Sequence, residues 1–174
     1  MHNASIMNAI GATGLQLYTF GETVSIPYFQ EKWRPYSFLK KIAKNIEAGF
    51  HTLVLLDIRV REISFENLSK GKEIYDPPRF MKVSEAVEQI LEAEEHEKTG
   101  KFPKDLKCFG VARMGFEDQK IVSGTLEQFL EIDMGPPLHS MVICAPNMHD
   151  LESEMYEFYK HGKAVGGEAA ELFE

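Results

Sequence analysis

Much of what usually announces an activity is missing from this chain. In 174 residues there is no G-x-S-x-G elbow, no G-x-x-x-x-G-K-[ST] phosphate loop, no H-E-x-x-H pair and no G-x-G-x-x-G fingerprint. Those absences remove the motif-bearing serine hydrolases, P-loop nucleotidases, zincins and dinucleotide-binding dehydrogenases from consideration. Cysteine is scarce: Cys108 and Cys144 lie far apart inside apolar runs, which excludes a disulfide framework and leaves too few thiolates for a zinc site. Two buried thiols fit a reducing compartment, so a cytoplasmic address is the default. Positive charge is also short, with 19 Lys and Arg against 27 Asp and Glu for a net charge of −8. A nucleic-acid backbone is therefore not the expected partner, because phosphate binding wants a basic face. No apolar run approaches the roughly 20 residues of a membrane span, and the start is too short and polar for a signal peptide.

What is present is an ordinary globular composition, 44% apolar and 26% charged, with enough chain to bury a sizeable core. The chain begins as though in the middle of a protein. Asn3 and Ser5 are good helix caps in front of Ile6, Met7, Ala9 and Ile10, and the pattern predicts a helix over 5–15 with no lead-in segment. Residues 22–29 read as a strand that Pro27 places at an edge or an end. Ser37 opens a helix over 37–48 that Gly49 stops. His51 to Ile58 is a continuous apolar run of strand length, suited to a strand covered on both faces. A short helix over 64–73, a periodic helix over 84–97, strands over 106–112, 120–123 and 140–145, and helices over 125–132 and 149–160 follow. The tail from Gly162 is rich in Gly, Ala and Glu and reads as loosely ordered. The expected fold class is α/β, a mixed sheet of about five strands with helices on its faces.

Residues that would carry chemistry are few. Six histidines stand at 2, 51, 96, 139, 149 and 161. His96 and His161 lie on charged stretches and read as solvated, while His51 heads a strand as a structural cap. His139 follows the rigid Gly135-Pro136-Pro137 turn and precedes a buried strand, a place where α/β domains put ligand groups. It can equally be a buried structural histidine. Ala112-Arg113-Met114-Gly115 ends another buried strand, either as a plain turn or as a close approach to a ligand. Asp57 closes the longest apolar run and reads first as a cap for the next turn. None of these supplies a convincing nucleophile or general base. That pattern suits a protein that orients a reactive cofactor and leaves the hard chemistry to it.

Several long strings carry a resemblance. His2-Asn-Ala-Ser-Ile-Met-Asn-Ala-Ile-Gly11, Gly14-Leu-Gln-Leu-Tyr18, Phe20-Gly-Glu-Thr-Val-Ser25, Trp33-Arg-Pro35, His51 to Ile58, Ile74-Tyr-Asp-Pro-Pro-Arg-Phe-Met81 and Gly135-Pro-Pro-Leu-His139 run in order along the chain. They resemble the diphthine synthase family, S-adenosylmethionine-dependent methyltransferases related to the tetrapyrrole methylases. The Ser5-Ile-Met-Asn8 form and the 112–126 segment are more similar to the eukaryotic branch, whose members carry methylation on to diphthine methyl ester, than to the archaeal branch, whose members stop at diphthine.

The resemblance implies the second domain of a tetrapyrrole methylase-like two-domain fold. Residues 1–20 would be the linker helix and a remnant of the N-terminal domain, 21–160 the C-terminal α/β domain and 161–174 a tail. It implies methylation of a modified histidine on translation elongation factor 2, with S-adenosyl-L-methionine as donor, S-adenosyl-L-homocysteine as product, no metal, and a homodimeric enzyme. Carried over position by position, the donor contacts fall on Ser5, Ile6, Leu56, Met114 and His139. Arg34, Arg59, Arg61 and Arg79 are candidates for meeting the carboxypropyl group of the protein substrate, with solvated surface arginines as the plainer reading. Family members carry roughly a hundred residues before the matching region, including a Gly-rich turn and a Gly-Asp-Pro loop. The expectation is therefore that this chain by itself binds the donor weakly or not at all. The other readings are a non-catalytic dimerisation or binding piece of the same enzyme, and a tetrapyrrole methylase relative.

Overall fold

The computed structural model describes residues 5–60 and 75–160. A five-stranded sheet runs through it, built from β1 (Val24–Ile26), β2 (Thr52–Leu56), β5 (Lys107–Ala112), β6 (Lys120–Thr125) and β7 (His139–Ile143) in the order β1-β2-β7-β5-β6. Only β1 and β2 are parallel; β7 pairs antiparallel with both β2 and β5, and β6 pairs antiparallel with β5. A separate two-stranded ribbon joins β3 (Ile58–Arg59) to β4 (Arg79–Phe80).

Both faces of the sheet are covered, and the strand sequences show why. Along β2, Leu53 and Leu55 face one cluster while Val54 and Leu56 face the other. Along β7, Met141 and Ile143 oppose Val142 in the same way. With side chains alternating at a period of two, a run that is apolar at every position must be buried on both sides. One face packs against α2 (Ser37–Glu47), α3 (Val83–Glu97) and α4 (Leu126–Phe129), with Leu39, Ile42, Val87, Ile90 and Phe129 fully buried. The other is covered by residues 9–15 and by α5 (Asp150–Tyr159), where Ile10, Phe109, Tyr156 and Tyr159 meet. The mixed five-stranded sheet with helices on its faces agrees with the expected class.

Four elements are shorter than their sequence patterns predict. The helix expected over 5–15 is α-helical only as α1 (Ile6–Ala9), capped by the Ser5 hydroxyl, which accepts from Met7 N–H; it tightens to a 3-10 turn over Ile10–Thr13 and ends at Gly14. Gly14 has φ +81°, and a Cβ there would sit 2.4 Å from Met155 Cγ on α5, so packing against that helix fixes the break. The strand expected over 22–29 stops at Ile26. Pro27 has no N–H to donate, and Tyr28 N–H goes to Asp57 Oδ2 at 2.9 Å instead of to a ladder. The run over 51–58 is interrupted at Asp57 for the same reason. The helix expected over 125–132 closes after Phe129, although its capping box, Thr125 with Gln128, is intact. The helix expected over 64–73 and the tail lie outside the described residues.

Candidate functional site

A large cleft opens where β1, β2 and β5 end and β7 begins. In an α/β sheet the backbone groups that leave the ladder at such an end are free to bind, and the connecting loops form the walls. The cleft holds about 1200 Å³, at or above the roughly 300–1,000 Å³ of ordinary small-molecule pockets. Its floor is made by Leu56 from β2, Val111 from β5 and Ser140 from β7; Ser5 and Ile6 close one side and Trp33 and Phe38 another.

All five positions picked from the sequence line this cleft: Ser5, Ile6, Leu56, Met114 and His139. They come from four segments that are separate along the chain and are brought together by the strand order. Leu56 and Met114 are buried; Ser5 is exposed, at the start of α1. Ile6, Leu56 and Met114 provide apolar walls, and the Ser5 hydroxyl is held by its cap to Met7 N–H.

His139 is the most defined polar group in the cleft. It is 8% exposed, and its Nε2 lies 3.0 Å from the carbonyl oxygens of both Gly135 and Pro136. Carbonyls only accept, so Nε2 carries the proton. Burial lowers the pKa below the ordinary histidine value despite those two carbonyls, and the nearby Arg113 charge adds to the effect. The ring is therefore neutral near pH 7, and Nδ1 is a lone-pair acceptor. Nδ1 is buried and has no partner among the described residues. Leaving such an atom unpaired costs about 1–3 kcal/mol, and an N–H or O–H from a bound molecule would relieve it.

Arg113 is the residue that sequence reasoning passed over. It lines the cleft, yet its guanidinium faces backbone: Nη1 donates to the carbonyl of Met134 at 3.0 Å and to that of Pro136, while Nε and Nη2 donate to the carbonyl of Asp118 at 3.1 and 2.9 Å. Nε also sits 2.6 Å from Asp118 Oδ2. No local signal marks this, since two of its carbonyl partners are 21 and 23 residues away.

Of the other candidates, Asp57 also lines the cleft, but its bonds are structural. It takes Tyr28 N–H and pairs with Arg59 Nε at 3.3 Å. Arg34 pairs with Glu92 and lies over the Phe29 ring, and Arg59 and Arg79 lie over the Tyr28 ring. None of the three lines the cleft, and Arg61 is outside the described residues. His96 stacks against Tyr36 with ring centroids 4.5 Å apart, so it is exposed but not purely solvated. His51 is structural, as expected, though through distant partners: Nδ1 accepts from Ala145 N–H and Nε2 donates to Glu152. Both cysteines are buried and unbonded to each other, with burial raising their pKa values. Among the described residues no cluster of His, Cys, Asp and Glu could hold a metal, and no helix is long and apolar enough to cross a membrane.

The chain is similar to diphthine methyl ester synthases over most of its length. It is 52% identical over 177 residues to the Bos taurus enzyme, covering 96% of this chain and 62% of that one. It is 50% identical over 163 residues to the Homo sapiens enzyme, covering 91% and 57%. A crystal structure of an Entamoeba histolytica protein provisionally assigned as a diphthine synthase superposes with a TM-score of 0.81 at 43% identity, over 92% of this chain and 59% of the other. A further diphthine synthase crystal structure gives 0.70 at 27% identity, over 92% and 53%. No family model matches the chain. The chain thus spans about three fifths of the length of the curated relatives it matches.

Proposed function

We propose that the chain forms one side of the donor site of an S-adenosylmethionine-dependent methyltransferase of diphthamide biosynthesis. The supporting observation is the convergence of Ser5, Ile6, Leu56, Met114 and His139 on one cleft. The residues present suit the donor chemically. Ile6, Leu56 and Met114 offer an apolar lining for adenine and thioether. The unpartnered Nδ1 of His139 matches an N–H or O–H donor on the adenosine part. When bound, S-adenosylmethionine brings a methyl group already activated by its sulfonium leaving group. The work left to this chain is to hold the donor in one orientation and keep water away from it, and no dedicated base is required. That agrees with a cleft in which apolar side chains, a neutral histidine and structurally engaged Asp57 and Arg113 meet without a nucleophile–base pair.

The substrate on this reading is elongation factor 2 bearing a 3-amino-3-carboxypropyl histidine, the enzyme works in the cytoplasm, and two copies of it associate. The test is a titration of the ¹⁵N-labelled chain with S-adenosylmethionine to millimolar concentration, followed by amide and side-chain shifts. Saturating shifts at Ser5, Ile6, Leu56, Met114 and His139 are expected, with an affinity weaker than micromolar. Shifts confined to other residues, or none at the highest concentration, overturn the reading.

A further inference from the structure

Arg113 spends the donor bonds of its guanidinium on fastening two loops to each other. Its Nε and Nη2 hold Asp118, in the loop after β5, and its Nη1 holds Met134 and Pro136, in the turn before β7. Its own backbone N–H donates to the carbonyl of Leu138 at 3.1 Å, one residue before His139. The fastening and the histidine share an atom: the Pro136 carbonyl accepts from Arg113 Nη1 and also lies 3.0 Å from His139 Nε2. The placement is deliberate in its backbone as well. Arg113 has φ +50°, a left-handed conformation that a side chain other than glycine seldom adopts, and it directs the guanidinium back across the turn. Gly135 on the opposite side holds φ +77°, a conformation that favours glycine, with the Arg113 nitrogens at contact distance, 3.4 Å from where a Cβ would stand.

We propose that Arg113 is a positioning residue for the cleft, which holds the 133–138 turn so that the Gly135 and Pro136 carbonyls fix His139 with its proton on Nε2 and its buried Nδ1 as the acceptor nitrogen. The proposal rests on the reading of the cleft as the donor site only for its effect on affinity; the effect on the ring is a property of the free protein. A planar fork that reaches carbonyls on two loops at once cannot be replaced by a lysine, whose ammonium is a point charge on a flexible stem.

The experiment therefore has two readouts. Long-range ¹H–¹⁵N spectra of the ligand-free chain report which ring nitrogen of His139 carries the proton. The wild type is expected to show the Nε2–H form, and Arg113→Ala a mixture of tautomers. Donor titration then reads affinity, with about a tenfold loss in Arg113→Ala and a smaller loss in Arg113→Lys. Should Arg113→Ala not fold, Arg113→Lys carries both measurements, with a detectable Nδ1–H population as the expected result. An unchanged Nε2–H ring in a folded Arg113 variant overturns the positioning role. If the tautomer shifts as expected while the wild type shows no donor-induced shifts at Ser5, Leu56 and Met114, the positioning role stands and the donor reading fails.

Discussion

At the scale of single residues, the two buried histidines make opposite uses of one chemistry. The buried Nδ1 of His139 has no partner among the described residues, whereas His51 has both ring nitrogens engaged, with Glu152 as its acidic partner. Burial lowers the Glu152 exposure to 3% and pushes its carboxyl up, but N–H donors from Gln16, His149 and His51 outweigh this and leave it below the ordinary value near 4.5. Burial also holds His51 below its ordinary value near 6.5, against the pull of Glu152. Both groups bind protons more readily in the unfolded chain. Stability from His51 is therefore complete above about pH 6.5 and is lost as pH falls through the folded value, and that from Glu152 begins to be lost below about pH 4.5. Each extra proton on the unfolded chain steepens the loss by up to about 1.4 kcal/mol per pH unit. Urea unfolding at pH 7.5 and 5.5 should show the wild type weakening, and His51→Asn weakening less; His139, shifted in the same direction, accounts for part of the remainder. An equal fall in both proteins would show that His51 does not contribute. None of this network could be read from sequence, because the partners of His51 are 94 and 101 residues away.

At the scale of elements, what was legible followed from local pattern, and what was not followed from contacts between elements. The periodic helix predicted over 84–97 is found at Val83–Glu97, and the one predicted over 37–48 at Ser37–Glu47. Their apolar faces and the glycine after α2 are written in the sequence. The first helix is cut short where Gly14 meets Met155, and the strand expected over 22–29 ends at the Pro27 flagged in the sequence, with Asp57 taking the next backbone donor. The contacts with Met155 and Asp57 are encounters across the fold. The packing of α4 on β5 is another such encounter and is testable. Gly110 lies mid-strand, between Val122 and Met141 in the register. A Cβ there would come 2.6 Å from Cε1 of the fully buried Phe129 and 3.2 Å from Met134 Sδ. Replacing a strand glycine by alanine ordinarily gains roughly 0.5–1 kcal/mol from the backbone, while overpacking a closed core costs about 1–3 kcal/mol. The clash should win, so Gly110→Ala is expected to lower the urea midpoint by an amount equivalent to about 1–2 kcal/mol net. A variant as stable as wild type would mean that α4 shifts freely off the sheet.

At the scale of the whole molecule, the candidate site could be read as a set of residues but not as a surface. The five cleft positions came from strings in the sequence, and the apolar rim around them did not, because it depends on which side chains the fold leaves outside. Trp33 is 50% exposed, Leu138 52% and Phe116 71%, all lining the same cleft. Exposed apolar side chains that share one opening offer an interaction surface there, and the proposed occupant is a second copy. Net charge opposes this, since two chains of −8 repel each other at low ionic strength. The two contributions respond oppositely to salt: screening weakens the repulsion, and apolar contact is left in place or strengthened. Sedimentation at tens of micromolar should therefore show more dimer at 500 mM salt than at 50 mM. Trp33→Ser together with Leu138→Ser should return the chain to monomer at both. A wild type that stays monomeric at high salt, or a double variant that dimerises as well as wild type, would remove the rim as the contact surface. If dimer is instead lost as salt rises, attraction between unlike charges holds the copies together, and the apolar rim is left for another partner.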